Sequence, residues 1–138
     1  MIVIDTNVIS ELMKPSPQPK LISWVDSQNA TQLFITTITI AEISYGLSVL
    51  PDGTRKRHLE DSFHKALNDA FKHRILSFGE TAAPAYGKIM GHRKQLGRPL
   101  SMADGQIAAI AAAHNYSIAT RNMTDFVDCE VEVINPFA

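Results

Sequence analysis

Ile2, Val3 and Ile4 form an unbroken β-branched run, and a carboxylate, Asp5, follows it at once. Such a run is the pattern of a strand buried on both faces, as in a parallel sheet, and not of a strand with one face in water. In open α/β sheets the chain reverses at the carboxyl ends of the strands and opens a crevice in which ligand chemistry collects. An ionised Asp buried there is costly unless it is paired or binds a metal. The plainer alternative is that Asp5 only caps the turn at Thr6 and Asn7, since Asp is a favoured cap and turn former.

The remainder of the chain alternates strand and helix patterns. Val8, Ile9 and Leu12 have helical spacing and stop before Pro15, Pro17 and Pro19, and Leu21, Ile22, Trp24 and Val25 predict a short helix ending near Gln28. Leu33 to Ile35 reads as a second buried strand, and Thr36 to Thr39 as the start of a helix carrying Ile40, Ile43, Leu47 and Leu50. Gly46 inside that helix suggests the close approach of another backbone element. Leu59, Phe63, Leu67, Ala70 and Phe71 fall at i, i+4, i+8, i+11 and i+12, which predicts one long amphipathic helix from Arg55 to Arg74. Ile75, Leu76 and Phe78 suggest a strand. Thr81 to Gln95 predicts a helix ended by Gly97, with Pro84 tolerated in its first turn. A last helix runs from about Met102 to His114, followed by a strand at Ile118 and Ala119, a loop from Thr120 to Asp128, and a strand from Val131 to Ile134. Strands alternating with helices through short links predict an α/β domain with a parallel sheet flanked by helices.

At 138 residues the chain has the length of one domain, residues 1–138, with enough bulk for a core. A net charge of −1 carries no global footprint of a nucleic-acid binder, so a phosphate partner must be held locally or through bound cations. Cys129 is the only cysteine, which leaves no internal disulfide and suits a reducing compartment. With no basic-then-apolar leader and no apolar run of spanning length, a cytoplasmic location with no membrane partner is expected.

Four acids stand at element boundaries: Asp5, Glu42, Asp104 and Asp125. Taken singly, each has a purely structural reading. Thr39-x-x-Glu42 fits a capping box, Ser101-x-x-Asp104 is a related pattern, and Asp125 suits a turn. Together they carry more, because a parallel sheet brings strand ends and helix starts to one edge. Four carboxylates in one cleft repel one another and would take up protons without a counter-charge. Hard divalent cations with oxygen ligands resolve that repulsion, and one or two of them can orient a phosphate and activate water. The five histidines (His58, His64, His73, His92 and His114) are scattered over polar helix faces and read as surface residues.

At these positions the sequence resembles the PIN-domain ribonucleases, and within them the VapC-like toxins of bacterial type II toxin–antitoxin pairs, in the FitB-like branch. The residues that carry the resemblance are Ile2-Val-Ile-Asp5-Thr6-Asn7-Val-Ile-Ser-Glu11, Ala41-Glu42-Ile-Ser-Tyr-Gly46, Ser101-Met-Ala-Asp104-Gly-Gln-Ile-Ala-Ala109 and Thr120-Arg-Asn122-Met-Thr-Asp125-Phe126. Each motif is weak alone; the ordered set is specific and covers the chain from Met1 to Pro136. The resemblance implies a PIN-like fold and a magnesium-dependent endoribonuclease, with manganese as a substitute ion, that leaves 5′-phosphate and 3′-hydroxyl ends. It also implies a homodimer inhibited by a small antitoxin with a DNA-binding end. Carried over, the metal-binding acids are Asp5, Glu42 and Asp104, and the fourth, more variable acidic position is Asp125. Thr6, Asn7, Thr120 and Asn122 are supporting residues, and either Asn122 or Asp125 completes the site.

Basic clusters at Arg55–His58, Lys72–Arg74 and His92–Lys94 read as solvated helix faces, with contact to an RNA backbone as the alternative. Arg98 and Arg121 lie closer in sequence to site acids and are the stronger RNA-binding candidates. Two rival functions remain. An aspartyl-nucleophile phosphatase fits Asp5 but is weakened by Asn7, where many such enzymes carry a general-acid Asp. A catalytically inactive PIN-like module that binds RNA or a partner has little reason to gather unpaired carboxylates.

Overall fold

The computed structural model describes residues 1–138. Five strands, β1 (Ile2–Ile4), β2 (Leu33–Thr36), β3 (Ile75–Leu76), β4 (Ser117–Ala119) and β5 (Val133–Ile134), alternate with six helices. These are α1 (Thr6–Leu12), α2 (Pro19–Asp26), α3 (Thr37–Ser48), α4 (Thr54–Lys65), α5 (Ala82–Gln95) and α6 (Met102–His114). Every strand pair is parallel, and the sheet order is β3-β2-β1-β4-β5. The chain therefore leaves the central strand β1 to build one half of the sheet and later returns to β1 from the other side. That reversal opens a crevice between the carboxyl ends of β1 and β4.

The apolar run at the N-terminus is buried on both faces, as its pattern predicts. Val3 belongs to a core cluster with Ile89, Ile107, Ala108 and Ile118, under α5 and α6. Its neighbour Ile4 points the other way, into a cluster with Val8, Ile9, Leu21, Ile35, Ile43 and Phe63 under α1 to α4. Successive strand residues face opposite sides of a sheet, so one three-residue strand serves two cores. On the α6 side the packing is tight because small residues permit it. A Cβ on Gly105 would press on the Met90 thioether and the Tyr86 ring, so the glycine lets these α5 side chains lie against the first turn of α6 as they stand.

The structure departs from the sequence reading at several points. The long helix predicted from Arg55 to Arg74 is interrupted: α4 ends at Lys65 and a π-helical turn, Ala66–Ala70, follows. The wider turn rotates Ala70 to the surface, although Phe63 and Phe71 remain buried and the stripe is core as expected. Gly46 faces open space, with nothing within 4 Å of a Cβ built on it, so no backbone approaches it closely. The last strand starts at Val133, two residues later than its apolar pattern suggested. All five histidines are exposed. No helix is long and apolar enough to cross a membrane.

Candidate active site

Asp5 stands at the carboxyl end of β1 and caps α1, with Oδ1 accepting the Thr6 N–H at 2.8 Å. The capping reading is therefore correct, but it uses only one oxygen. Oδ2 accepts the Thr120 hydroxyl at 2.8 Å and the Asn7 side-chain amide at 3.3 Å. Thr120 ends β4 and is itself fully buried, and its oxygen accepts from Asn7 Nδ2 at 3.3 Å and from the Asn122 N–H at 3.1 Å. The network closes the crevice floor. Burial pushes the Asp5 carboxyl up to about 6, the charges of Asp104 and Glu42 add to the rise, and the bonds from Thr120 and Thr6 oppose it.

Glu42 is no cap. The N-cap of α3 is Thr36, whose hydroxyl accepts the Thr39 N–H at 3.1 Å, and Glu42 lies more than a turn into the helix. The capping box read at Thr39 and Glu42 is therefore absent. The Glu42 carboxylate instead accepts the Thr6 hydroxyl at 2.7 Å, and Thr6 and Thr39 share a further hydroxyl bond at 2.9 Å. At α6 the Ser101 hydroxyl caps by accepting the Asp104 N–H at 3.1 Å. The Asp104 side chain lines the same cleft as Asp5, Thr6, Asn7 and Glu42, a hollow of about 390 Å³. Burial raises the Asp104 carboxyl above the usual range, and the charges of Asp125 and Glu42 act in the same direction.

Three of the four predicted acids thus line one cleft. Asn122 lines it too, whereas Asp125, in a 3₁₀ turn of residues Met123–Asp125, acts on Asp104 through its charge. No three of the carboxylates are gathered closely enough to form a closed ligand cage. Their chemistry fits a hard divalent ion: all-oxygen donors, two with raised proton affinity, and no soft ligand in the cleft.

The two arginine candidates separate. Arg121 lines the cleft, while Arg98 pairs with Asp128 outside it. That pair borders a larger open hollow of about 620 Å³ beside α5, where Lys88 also meets Glu130 at 3.4 Å, so its acids are already matched by cations.

Glu11, Lys14 and Arg93 escaped the sequence reading. Glu11, on α1, is buried within the cleft and receives both Lys14 and Arg121. Asn7 and Glu11 on α1 and Lys14 just beyond its end recur at i, i+4 and i+7, and that polar spacing was the available signal. Arg93, read as part of a solvated basic face, is buried; its guanidinium donates to the carbonyls of Arg98 at 2.6 Å, Val127 at 2.5 Å and Asp125 at 3.2 Å.

Residues 2–128 match the PIN domain family. A VapC ribonuclease, Y4jK, of Sinorhizobium fredii is 37% identical over 99% of this chain and 98% of that protein. Toxin FitB of Neisseria gonorrhoeae is 36% identical over 99% of each. The solved structure of FitAB bound to an IR36 DNA fragment superposes with a TM-score of 0.92, covering 100% of this chain and 96% of that one at 36% identity. The chain belongs to the PIN domain family.

Proposed function

We propose that this PIN-domain chain is a divalent-metal-dependent endoribonuclease, one nuclease domain over residues 1–138, and the toxin of a type II toxin–antitoxin pair. The observation that carries the reading is the crevice between β1 and β4, where Asp5, Glu42 and Asp104 face one cleft and hydroxyls from Thr6 and Thr120 hold two of them. Asp5, Glu42 and Asp104 would hold the ion, with Asn122 or Asp125 completing the site. When bound, magnesium or manganese supplies Lewis-acid stabilisation of phosphate charge and lowers the pKa of the attacking water.

The chain's own residues orient the rest. Thr120 and Asn7 fix one Asp5 oxygen, the Thr6 N–H fixes the other, and the Thr6 hydroxyl fixes one Glu42 oxygen. Burial raises the proton affinity of Asp5 and Asp104 in the metal-free chain, and a bound divalent cation would relieve that cost by favouring their ionised forms. Attack at phosphorus breaks the bond to the 3′ oxygen and leaves 5′-phosphate and 3′-hydroxyl ends.

The likeness to toxin FitB and to FitAB on DNA supports a small DNA-binding antitoxin as partner, and cytoplasmic action as a homodimer goes with this reading. The test is cleavage of RNA by the purified chain with magnesium, with manganese and with chelator, beside Asp5→Asn. Cutting only with metal, and none by the variant, is expected. Binding of RNA without cutting under every condition would return the chain to the inactive-module reading.

A further inference from the structure

The cleft holds two cations that none of its metal-type acids uses. Lys14 Nζ and Arg121 Nη2 both donate to the same Glu11 oxygen, at 2.9 and 3.1 Å, and the other Glu11 oxygen accepts the Gln18 N–H at 3.2 Å. One carboxylate needs one cation, so the trio carries a surplus positive charge beside Asp5, Glu42 and Asp104. Neither cation neutralises those three acids. The remaining N–H groups of both side chains have no protein acceptor, and about half of each side chain is exposed.

Arg121 is also held in place from behind. Its guanidinium lies over the Phe137 ring, 4.1 Å from the centroid, and its backbone N–H donates to Asn7 Oδ1 at 3.2 Å. A cation stacked on a ring and bonded to a carboxylate keeps one orientation, so its unused donors present a fixed fork. Two neutral polar side chains, Ser10 and Asn122, line the same hollow.

We infer that Lys14 and Arg121 form a seat for a phosphodiester group of the RNA strand, adjoining the one to be cut, with Glu11 and Phe137 as positioning residues. The inference rests on the ribonuclease reading above. A polyanion entering an acid cleft meets repulsion that a net charge of −1 does nothing to offset, and a local pair of cations supplies the missing attraction. An Arg fork and a Lys point charge on one side suit a tetrahedral phosphate.

The test uses a short fluorescent single-stranded RNA, whose binding is followed by anisotropy in chelator over a series of salt concentrations. Cleavage with magnesium gives KM and kcat on the same preparations. Lys14→Met and Arg121→Gln should each lower the slope of log Kd against log salt by about 0.7, the value for one phosphate contact on a single strand. Each should raise KM about tenfold with a much smaller change in kcat. Phe137→Leu keeps the charge, so it should keep the parent slope while raising KM a few-fold, and Phe137→Tyr should restore it. Parent slope and KM in Lys14→Met would overturn the seat even if Arg121→Gln failed to fold. If the variants lose affinity for the antitoxin while slope and KM hold, the seat is overturned in favour of an acidic protein segment. A parent protein that binds RNA with these slope changes but never cuts would sink the ribonuclease reading and leave the seat standing.

Discussion

The Thr120 hydroxyl donates to Asp5 Oδ2 at 2.8 Å, joining residues 115 positions apart at the ends of adjacent parallel strands. This bond ties the central strand to the strand that returns across the sheet, so the fold and the site share one contact. Thr120→Val keeps the shape and removes the donor. Losing a bond to a buried charged group should cost about 1–3 kcal/mol in urea unfolding. Partners of this outer kind typically contribute about 10–100-fold to metal affinity, and magnesium binding should weaken by that order. Thr120→Ser should restore both quantities. Unchanged magnesium affinity in Thr120→Val would remove Thr120 from the site.

Asp5 gives the metal-free protein a definite response to pH. Its carboxyl titrates near 6 when folded, against 3.8 ordinarily. Between those values the folded state binds more protons than the unfolded one, so this contribution to stability falls as pH rises through about 6. A shift of this size corresponds to on the order of 3 kcal/mol. Glu11 acts oppositely and lower: the bond from Lys14 chiefly holds it below its usual 4.5, so its stabilisation is present above that value and lost on acidification. With chelator present, the protein should melt higher at about pH 5 than at about pH 7.5, and Asp5→Asn should erase most of that difference. Saturating magnesium should reverse the order, because protons compete with the ion for the same oxygens. Equal melts at both pH values with chelator would argue against a strained carboxylate at Asp5.

Capping and chemistry in α3 are carried by different residues, and they should separate experimentally. Thr36→Ala removes the hydroxyl that accepts the Thr39 N–H, at a cost of about 1 kcal/mol or somewhat more because the site is buried. Its cleavage rate at a temperature where it stays folded should equal the parent's. Glu42→Gln keeps an acceptor for the Thr6 hydroxyl and should change stability by under about 1 kcal/mol. Its cleavage should fall at least about a hundredfold, because a hard anionic oxygen and a full charge are lost. A Glu42→Gln protein that cuts at the parent rate would take Glu42 out of the site.

The sequence was most legible where a local pattern decides the geometry. Ile2-Val3-Ile4 before Asp5 specified a doubly buried strand with an acid at its end, and Val3 and Ile4 do face opposite cores. It was less legible where two local solutions compete. Thr36 and Thr39 are both good caps, and the choice falls to Thr36 because β2 runs to that residue and α3 follows at once. Helical spacing from Leu59 to Phe71 is nearly preserved across a π turn, so periodicity alone could not show the break at Lys65. Least legible were roles set by distant chain. Glu11 acquires Arg121 from 110 positions away. Nothing around His92-Arg93-Lys94 shows that residues 125 to 129 fold back over the middle one.

Arg93 is the residue for which that distant packing makes the sharpest prediction. Its guanidinium is buried, makes no ion pair, and spends its donors on the carbonyls of Arg98, Asp125 and Val127. It therefore stitches the turn after α5 to the loop that carries Asp125, and it covers the buried Cys129 thiol, 3.9 Å from Nη1. Arg93→Lys retains the charge but not the fork, so at most part of this set of bonds can reform and carbonyls are left without donors. Destabilisation of about 2–4 kcal/mol in urea unfolding is expected, the range for a broken buried network. The loop should open locally more often than the whole chain unfolds. Labelling of Cys129 by a thiol reagent should then speed up by more than the loss of global stability accounts for, while Asp5 and Glu42, which make no bond to Arg93, keep their contacts. Labelling no faster than global unfolding would mean that loop and core open as one unit, and that Arg93 holds no separate latch.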